Sequence, residues 1–205
     1  MDPAWARGMR AGRDDPGVGT DHVTTTGWLS TLWLTRFSQP AGERVLYRHV
    51  DARRPLRILE LGLGCLRRTE RLLRLAAGVT TGQALTYVGV DRFESRQPED
   101  GPGVTLKEAH QRLHDLARVQ LVPGNVDSNL SRLCNHLGAF DLVLVSADNP
   151  ARQLERAWFF VQRLTGTETV VFAESAGDSV RSVWAPLSRS QLSDLATRSL
   201  QRRAG

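Results

Sequence analysis

Lysine is almost absent from this 205-residue chain: Lys107 is the only one, and arginine supplies the rest of the 27 basic residues. The formal net charge is +5, which taken alone suggests a nucleic-acid partner. The arginines are scattered, however, with one group of Arg198, Arg202 and Arg203 near the end. Aromatic residues make up 6% and do not interleave with them, so no base-stacking surface is written into the pattern. A solvated basic tail is the favoured reading, and a nucleic-acid partner is not favoured. Cysteine is scarce too. Cys65 and Cys134 have no framework spacing, which argues against a disulfide scaffold and for free thiols in a reducing compartment. No apolar run approaches the ~20 residues that span a bilayer. The first twenty residues, MDPAWARGMRAGRDDPGVGT, hold no apolar segment of the secretory kind. The expectation is a cytoplasmic protein with no membrane partner.

Hydrophobic residues at 40% and charged residues at 24% suit one well-filled core. Residues 1–21 are rich in Gly, Asp, Arg and Pro without periodicity, so a disordered or loosely attached start is expected. Residues 22–205 read as one domain. Its first part, 22–54, is a helical cap. Trp28, Leu29, Leu32, Trp33 and Phe37 lie at helical spacing, read as core, and Gln39-Pro40 breaks the run. Val45, Leu46, His49 and Val50 mark a second short helix. From 55 to 175 short apolar strands alternate with amphipathic helices. Strands are predicted at 56–61, 85–90, 119–122, 141–145 and 169–173, and helices at 66–77, 105–118, 128–137 and 152–164. In 176–205, Ser188 and Gln191 resemble a capping box before a last helix. The pattern predicts an α/β fold: a doubly wound, mainly parallel sheet of about five strands with helices on both faces.

Ligands of such sheets bind beyond the carboxyl ends of the strands, where strand order reverses. The turn after the first strand reads Glu60-Leu61-Gly62-Leu63-Gly64-Cys65. Without a Cβ, Gly62 and Gly64 allow a sharp bend and a close approach to the backbone. A plain strand-to-helix turn also accounts for two glycines. Asp91 closes the second strand, where a carboxylate accepts hydrogen bonds from vicinal ribose hydroxyls, although a capping aspartate fits the position too. Both signals in order point to an adenosine-containing ligand. A dinucleotide fingerprint needs a third glycine where Arg67 stands, which argues against NAD or FAD.

The run from 58 to 175 resembles the class I, Rossmann-like S-adenosylmethionine-dependent methyltransferases, through ILELGLGC, YVGVDRF, LVPGNVDSNLSRL, FDLVLVSADNP and TETVVFAES in order. The resemblance implies S-adenosylmethionine as cofactor and a small-molecule methyl acceptor. It implies that Glu60, Gly62 and Gly64 cradle the methionine end and that Asp91 holds the ribose. Arg92 and Phe93 would border the adenine, Phe93 by stacking, and Asn125 and Val126 would meet its other edge. Ser146 and Asp148 would face the transferred methyl group, with Asp148 the candidate catalytic base. Three departures stand out. Leu66 occupies the place of a frequent third glycine. Ser146 and then Glu174-Ser175 stand where a related subgroup holds a divalent metal with carboxylates, so no metal site is expected. The terminal two-strand hairpin reads as missing or reduced, which leaves strand five an edge to be covered by the last helix or by a homodimer partner.

His110 and His114 share metal-ligand spacing, but with no third ligand a partly buried histidine beside a surface one is the reading. Asp148-Asn149-Pro150 resembles the N-P-P-Y loop of amino-methyltransferases without its aromatic, and an Asx turn explains it equally. Nothing selects His22 or His49 as a base. The departures leave an alternative standing, a non-catalytic relative that keeps the fold as an S-adenosylmethionine-binding or assembly module.

Overall fold

The computed structural model describes residues 28–175 and 183–204, so the readings placed on 1–21 and His22 lie outside the described residues. Two helices come first, α1 (Trp28–Arg36) and α2 (Arg44–Arg53), joined through a cis Gln39-Pro40 peptide. The alternating part then runs β1 (Arg57–Leu61), α3 (Arg67–Val79), β2 (Thr86–Asp91), α4 (Leu106–Leu113), β3 (Arg118–Pro123), α5 (Val126–Leu133), β4 (Phe140–Val145), α6 (Ala151–Arg163) and β5 (Thr165–Ser175). A further strand, β6 (Val183–Leu187), and α7 (Arg189–Ala204) complete it. Every strand and helix expected from 55 to 175 is present, with ends shifted by a few residues.

The sheet order is β3-β2-β1-β4-β5-β6. All neighbours are parallel except β6, which runs antiparallel to β5 with Glu174 opposite Trp184. Strand order reverses between β1 and β4, and the cleft lies at their carboxyl ends. Strand alternation sends Ile58, Tyr87, Leu142, Leu144 and Phe172 to one face, against α2, α3 and α4. It sends Leu59, Leu61, Val88, Val143 and Val171 to the other, against α5, α6 and α7. Both faces are covered, which is why the strands read as nearly unbroken apolar runs. Ser188 and Gln191 form the expected capping box. Gln191 N donates to Ser188 Oγ at 3.2 Å, and Ser188 N donates to Gln191 Oε1 at 2.8 Å.

Two expectations need correction. The sheet has six strands, and β6 covers the edge of β5, which removes the reason for a partner subunit there. The strand hides in the sequence because Pro186 interrupts its pattern; proline lacks the ladder donor and is tolerated where a strand has one free side. The apolar stripe of α1 is also not core. Leu29, Leu32, Trp33 and Phe37 are exposed, Trp33 at 49%, and it is Leu34 that enters the core. Among the described residues no helix is long and apolar enough to cross a membrane.

Candidate functional site

The bend after β1 is built on three residues with left-handed backbone, at alternate positions. Gly62 and Gly64 have φ of +87° and +58°, values that favour glycine. Leu66, at the place of the missing third glycine, keeps a left-handed φ of +66°. That conformation costs an L-residue about 1–2 kcal/mol. The side chain is wholly buried, which contributes about 1.5–3 kcal/mol, so the leucine holds the turn without a net penalty.

Asp91, at the end of β2, points straight into this bend. Its Oδ2 accepts from Leu63 N at 2.6 Å and from Gly64 N at 3.3 Å, and its Oδ1 accepts from Phe93 N at 3.0 Å. The pairing of Leu61 with Val90 brings the two strand ends side by side. A cation-bearing group, unannounced by the sequence, sits on the same carboxylate. Arg96 donates from Nε to Oδ1 at 2.8 Å and from Nη2 to Oδ2 at 2.6 Å. Burial pushes the Asp91 carboxyl up, but hydrogen bonds from Arg96 and Phe93 N outweigh it and hold it below its ordinary value.

Glu60 has a different task from the one the resemblance implies. It is fully buried and faces α3, not the cleft. Arg68 donates twice to Oε1, at 2.9 and 2.8 Å, while Thr69 and Tyr87 hydroxyls donate to Oε2 at 2.8 and 2.7 Å. No lone pair remains for a ligand. Arg68 in turn donates to Gly62 O at 2.9 Å and lies 4.7 Å over the Trp184 ring, so Glu60 acts on the bend through Arg68. Burial opposes the charge of Arg68, but Glu60 and Glu174 keep it firmly cationic.

Ser146, at the end of β4, is 1% exposed and stands against Gly62. Its hydroxyl donates to Glu174 Oε2 at 2.7 Å. The Asn149 amide bridges the two strand ends, donating to Leu61 O at 2.7 Å and Ser146 O at 2.9 Å, in place of an Asx turn. Asp148 lies beside Gly64 with its Oδ2 3.8 Å from Arg96 Nη2. Burial raises its carboxyl above the ordinary value, against the pull of Arg96.

The remaining candidates disperse. Phe93, at φ +47°, turns its ring into the core and is 3% exposed, which leaves no face for stacking. Arg92 pairs with Asp100 and holds the following loop. Val126 is buried and Asn125 is exposed at the start of α5, next to Gly124, whose N–H donates to Asp91 O at 2.8 Å. His110 and His114 are both exposed and stack at 5.7 Å, and no group of three metal-ligating side chains occurs among the described residues. The Ser146–Glu174 pair does not suit a divalent cation. It offers one carboxylate, already bonded to Ser146 and to Ala147 N at 3.1 Å, with the Arg68 cation 3.9 Å away.

A cavity of about 290 Å³ opens beside the bend, lined by Glu43, Gly64, Cys65, Arg67, Arg71 and Asp148. Glu43 was not singled out by its sequence context. It is 8% exposed, its Oε2 accepts from the Tyr47 hydroxyl at 2.6 Å, and burial raises its carboxyl above the ordinary value. A raised folded-state value favours the native protein below the unfolded value, and that contribution is lost as pH rises through the folded one. Glu43→Gln cannot ionise and still accepts from Tyr47. The melting temperature of this variant, relative to the parent, is expected to rise from pH 4 to pH 7; a flat or falling difference would contradict the assignment.

No family model and no curated protein matches this chain. Solved structures do. An O-methyltransferase from Bacillus cereus in complex with SAH aligns with a TM-score of 0.50 at 18% identity, covering 91% of this chain and 81% of that one. The O-methyltransferase TomG from Streptomyces achromogenes, involved in tomaymycin synthesis and in complex with SAM, aligns with a TM-score of 0.51 at 17% identity, covering 86% and 77%. At such identities the likeness is one of fold: the chain has the Rossmann-like class I methyltransferase fold.

Proposed function

We propose that this chain is an S-adenosylmethionine-dependent methyltransferase acting on a small-molecule acceptor without a metal ion. The observation that carries the reading is the convergence of the Asp91 carboxylate on the Leu63 and Gly64 amides, at the reversal point of the sheet. That two structures of the same fold hold SAH or SAM supports the choice of ligand. The cofactor supplies a methyl group on a sulfonium, a leaving group activated enough that the protein's task is to align donor and acceptor and exclude water.

On this reading Asp91 holds the ribose hydroxyls, the 62–64 backbone and Ser146 border the sulfonium, and the exposed Asn125, next to Gly124, flanks the base. Arg68 fixes Gly62 O while Glu60 fixes Arg68. Asp148, its carboxyl raised by burial, is placed to take a proton from an acceptor hydroxyl or amine. The Glu174 carboxylate, already bonded to the Ser146 hydroxyl and to Ala147 N with the Arg68 cation 3.9 Å away, supports metal-independent transfer.

A second reading is favoured by one observation, the Arg96 guanidinium lying on the Asp91 carboxylate that the first reading gives to the ribose. On it the chain keeps the fold as a non-catalytic module. Isothermal titration with S-adenosylmethionine, with NAD as control, tests the cofactor assignment, and binding without methyl turnover over a broad panel of acceptors favours the non-catalytic module. Heat with S-adenosylmethionine and none with NAD supports the cofactor assignment. The absence of heat at millimolar S-adenosylmethionine removes it.

A further inference from the structure

Asp91 receives more donors than a carboxylate has lone pairs to share. Two oxygens offer about four acceptor sites. Three backbone amides and two guanidinium nitrogens approach them within 3.3 Å. The amides belong to the two loops that build the cleft and leave only with the fold. The guanidinium belongs to a side chain.

Arg96 is seated there by its own loop. Its Nη1 donates to Asp100 O at 2.8 Å, and the Asp100 carboxylate accepts from Gln97 N at 2.7 Å and pairs with Arg92. Glu94 anchors the other side of the loop by accepting from Leu106 N at 2.8 Å. Gly103 completes the seat, since a Cβ on it would overlap Arg96 Cδ. The Arg96 side chain is 9% exposed and Asp91 is 4% exposed, so the pair is closed off from water. A second anion is within reach: Asp148 Oδ2 lies 3.8 Å from the same Nη2 and is 43% exposed.

We infer that Arg96 is a latch on the nucleoside site. It must leave Asp91 before a vicinal diol can bind there, and Asp148 receives it when it does. The inference rests on the cofactor reading above and adds the residue that sets what fraction of the protein is competent to bind. Affinity for a site that is open in only a fraction of molecules falls by that fraction. The exchange also connects the two ends of the cleft. A guanidinium moved to Asp148 lowers the proton affinity of that carboxylate, so a bound nucleoside changes the candidate base.

The test is titration of the whole chain with S-adenosylhomocysteine, comparing the parent with Arg96→Met and Gly103→Ala. The first removes the cation and keeps an apolar stem. The second keeps every charge and crowds the seat, at a glycine whose φ is not in the left-handed region. Both are expected to bind S-adenosylhomocysteine about tenfold more tightly than the parent. Should Arg96→Met fail to fold, Gly103→Ala decides by the same criterion. If the parent binds and the variants bind equally or more weakly, the latch is overturned and the cofactor reading stands. If none of the three proteins binds, both are overturned.

Discussion

Replacing Arg68 by methionine is expected to destabilise the protein by about 3–5 kcal/mol in urea denaturation, the cost of leaving a buried anion without its partner. For a chain of this size that is a fall of roughly 10 °C in melting temperature. The reason lies in how many elements meet on one guanidinium. It bonds Glu60 of β1 twice, bonds Gly62 O in the bend, and covers the Trp184 ring of β6. Glu60 is wholly enclosed, so its charge cannot be relieved by water. A surface ion pair of the same chemistry would contribute under about 1 kcal/mol, and the Arg202–Glu155 pair between α7 and α6 is of that exposed kind. The double variant Glu60→Gln, Arg68→Met is expected to be more stable than Arg68→Met alone, since the stranded anion is then gone. A loss below 1 kcal/mol on removing Arg68 would show that the network does not hold the bend.

The second large effect concerns Gly62. A Cβ there meets Asn149 Nδ2 at 2.7 Å, and the residue sits at φ +87°. Gly62→Ala therefore carries two penalties. The left-handed backbone costs about 1–2 kcal/mol, and displacing Asn149 from Leu61 O and Ser146 O costs about 0.5–1.5 kcal/mol for each bond lost. The expected total is about 2–5 kcal/mol. Gly82 isolates the first part, with a φ of +82° and nothing within 4 Å of its own Cβ. Gly82→Ala is expected to cost about 1 kcal/mol. In an Asn149→Ala background the cost of Gly62→Ala should fall toward the Gly82 value, with the Ser146 Cβ at 3.0 Å as the contact that remains, and a cycle with no coupling between positions 62 and 149 would contradict the account.

Hydrophobic spacing carried most of the fold, because a parallel sheet covered on both faces turns each strand into a run of apolar residues that spacing alone reveals. It missed β6, where Pro186 breaks the run and the strand borders the sheet on one side only. It misplaced α1, since spacing gives a stripe but not what lies opposite; the stripe through Trp33 meets Arg71 at 5.9 Å and solvent, while Leu34 packs inward. In the site, Gly62, Gly64 and Asp91 were legible because backbone bends and strand ends leave local marks. Arg96 and Arg68 were not, and the turn read at Asn149 did not show that its amide bridges two strand ends. Their importance comes from distant partners, and one arginine among many carries no sign of which will turn inward. Glu60 and Phe93 illustrate the converse: each sits in the right motif, and each spends its side chain on the core.

The most direct measurement is a crystal structure of the chain soaked with S-adenosylhomocysteine. The expected result is a ribose whose two hydroxyls bond the Asp91 carboxylate beside the Gly62–Gly64 bend, with the Arg96 guanidinium on Asp148. A structure at saturating ligand in which Arg96 still grips Asp91 and no nucleoside lies over the bend would contradict it.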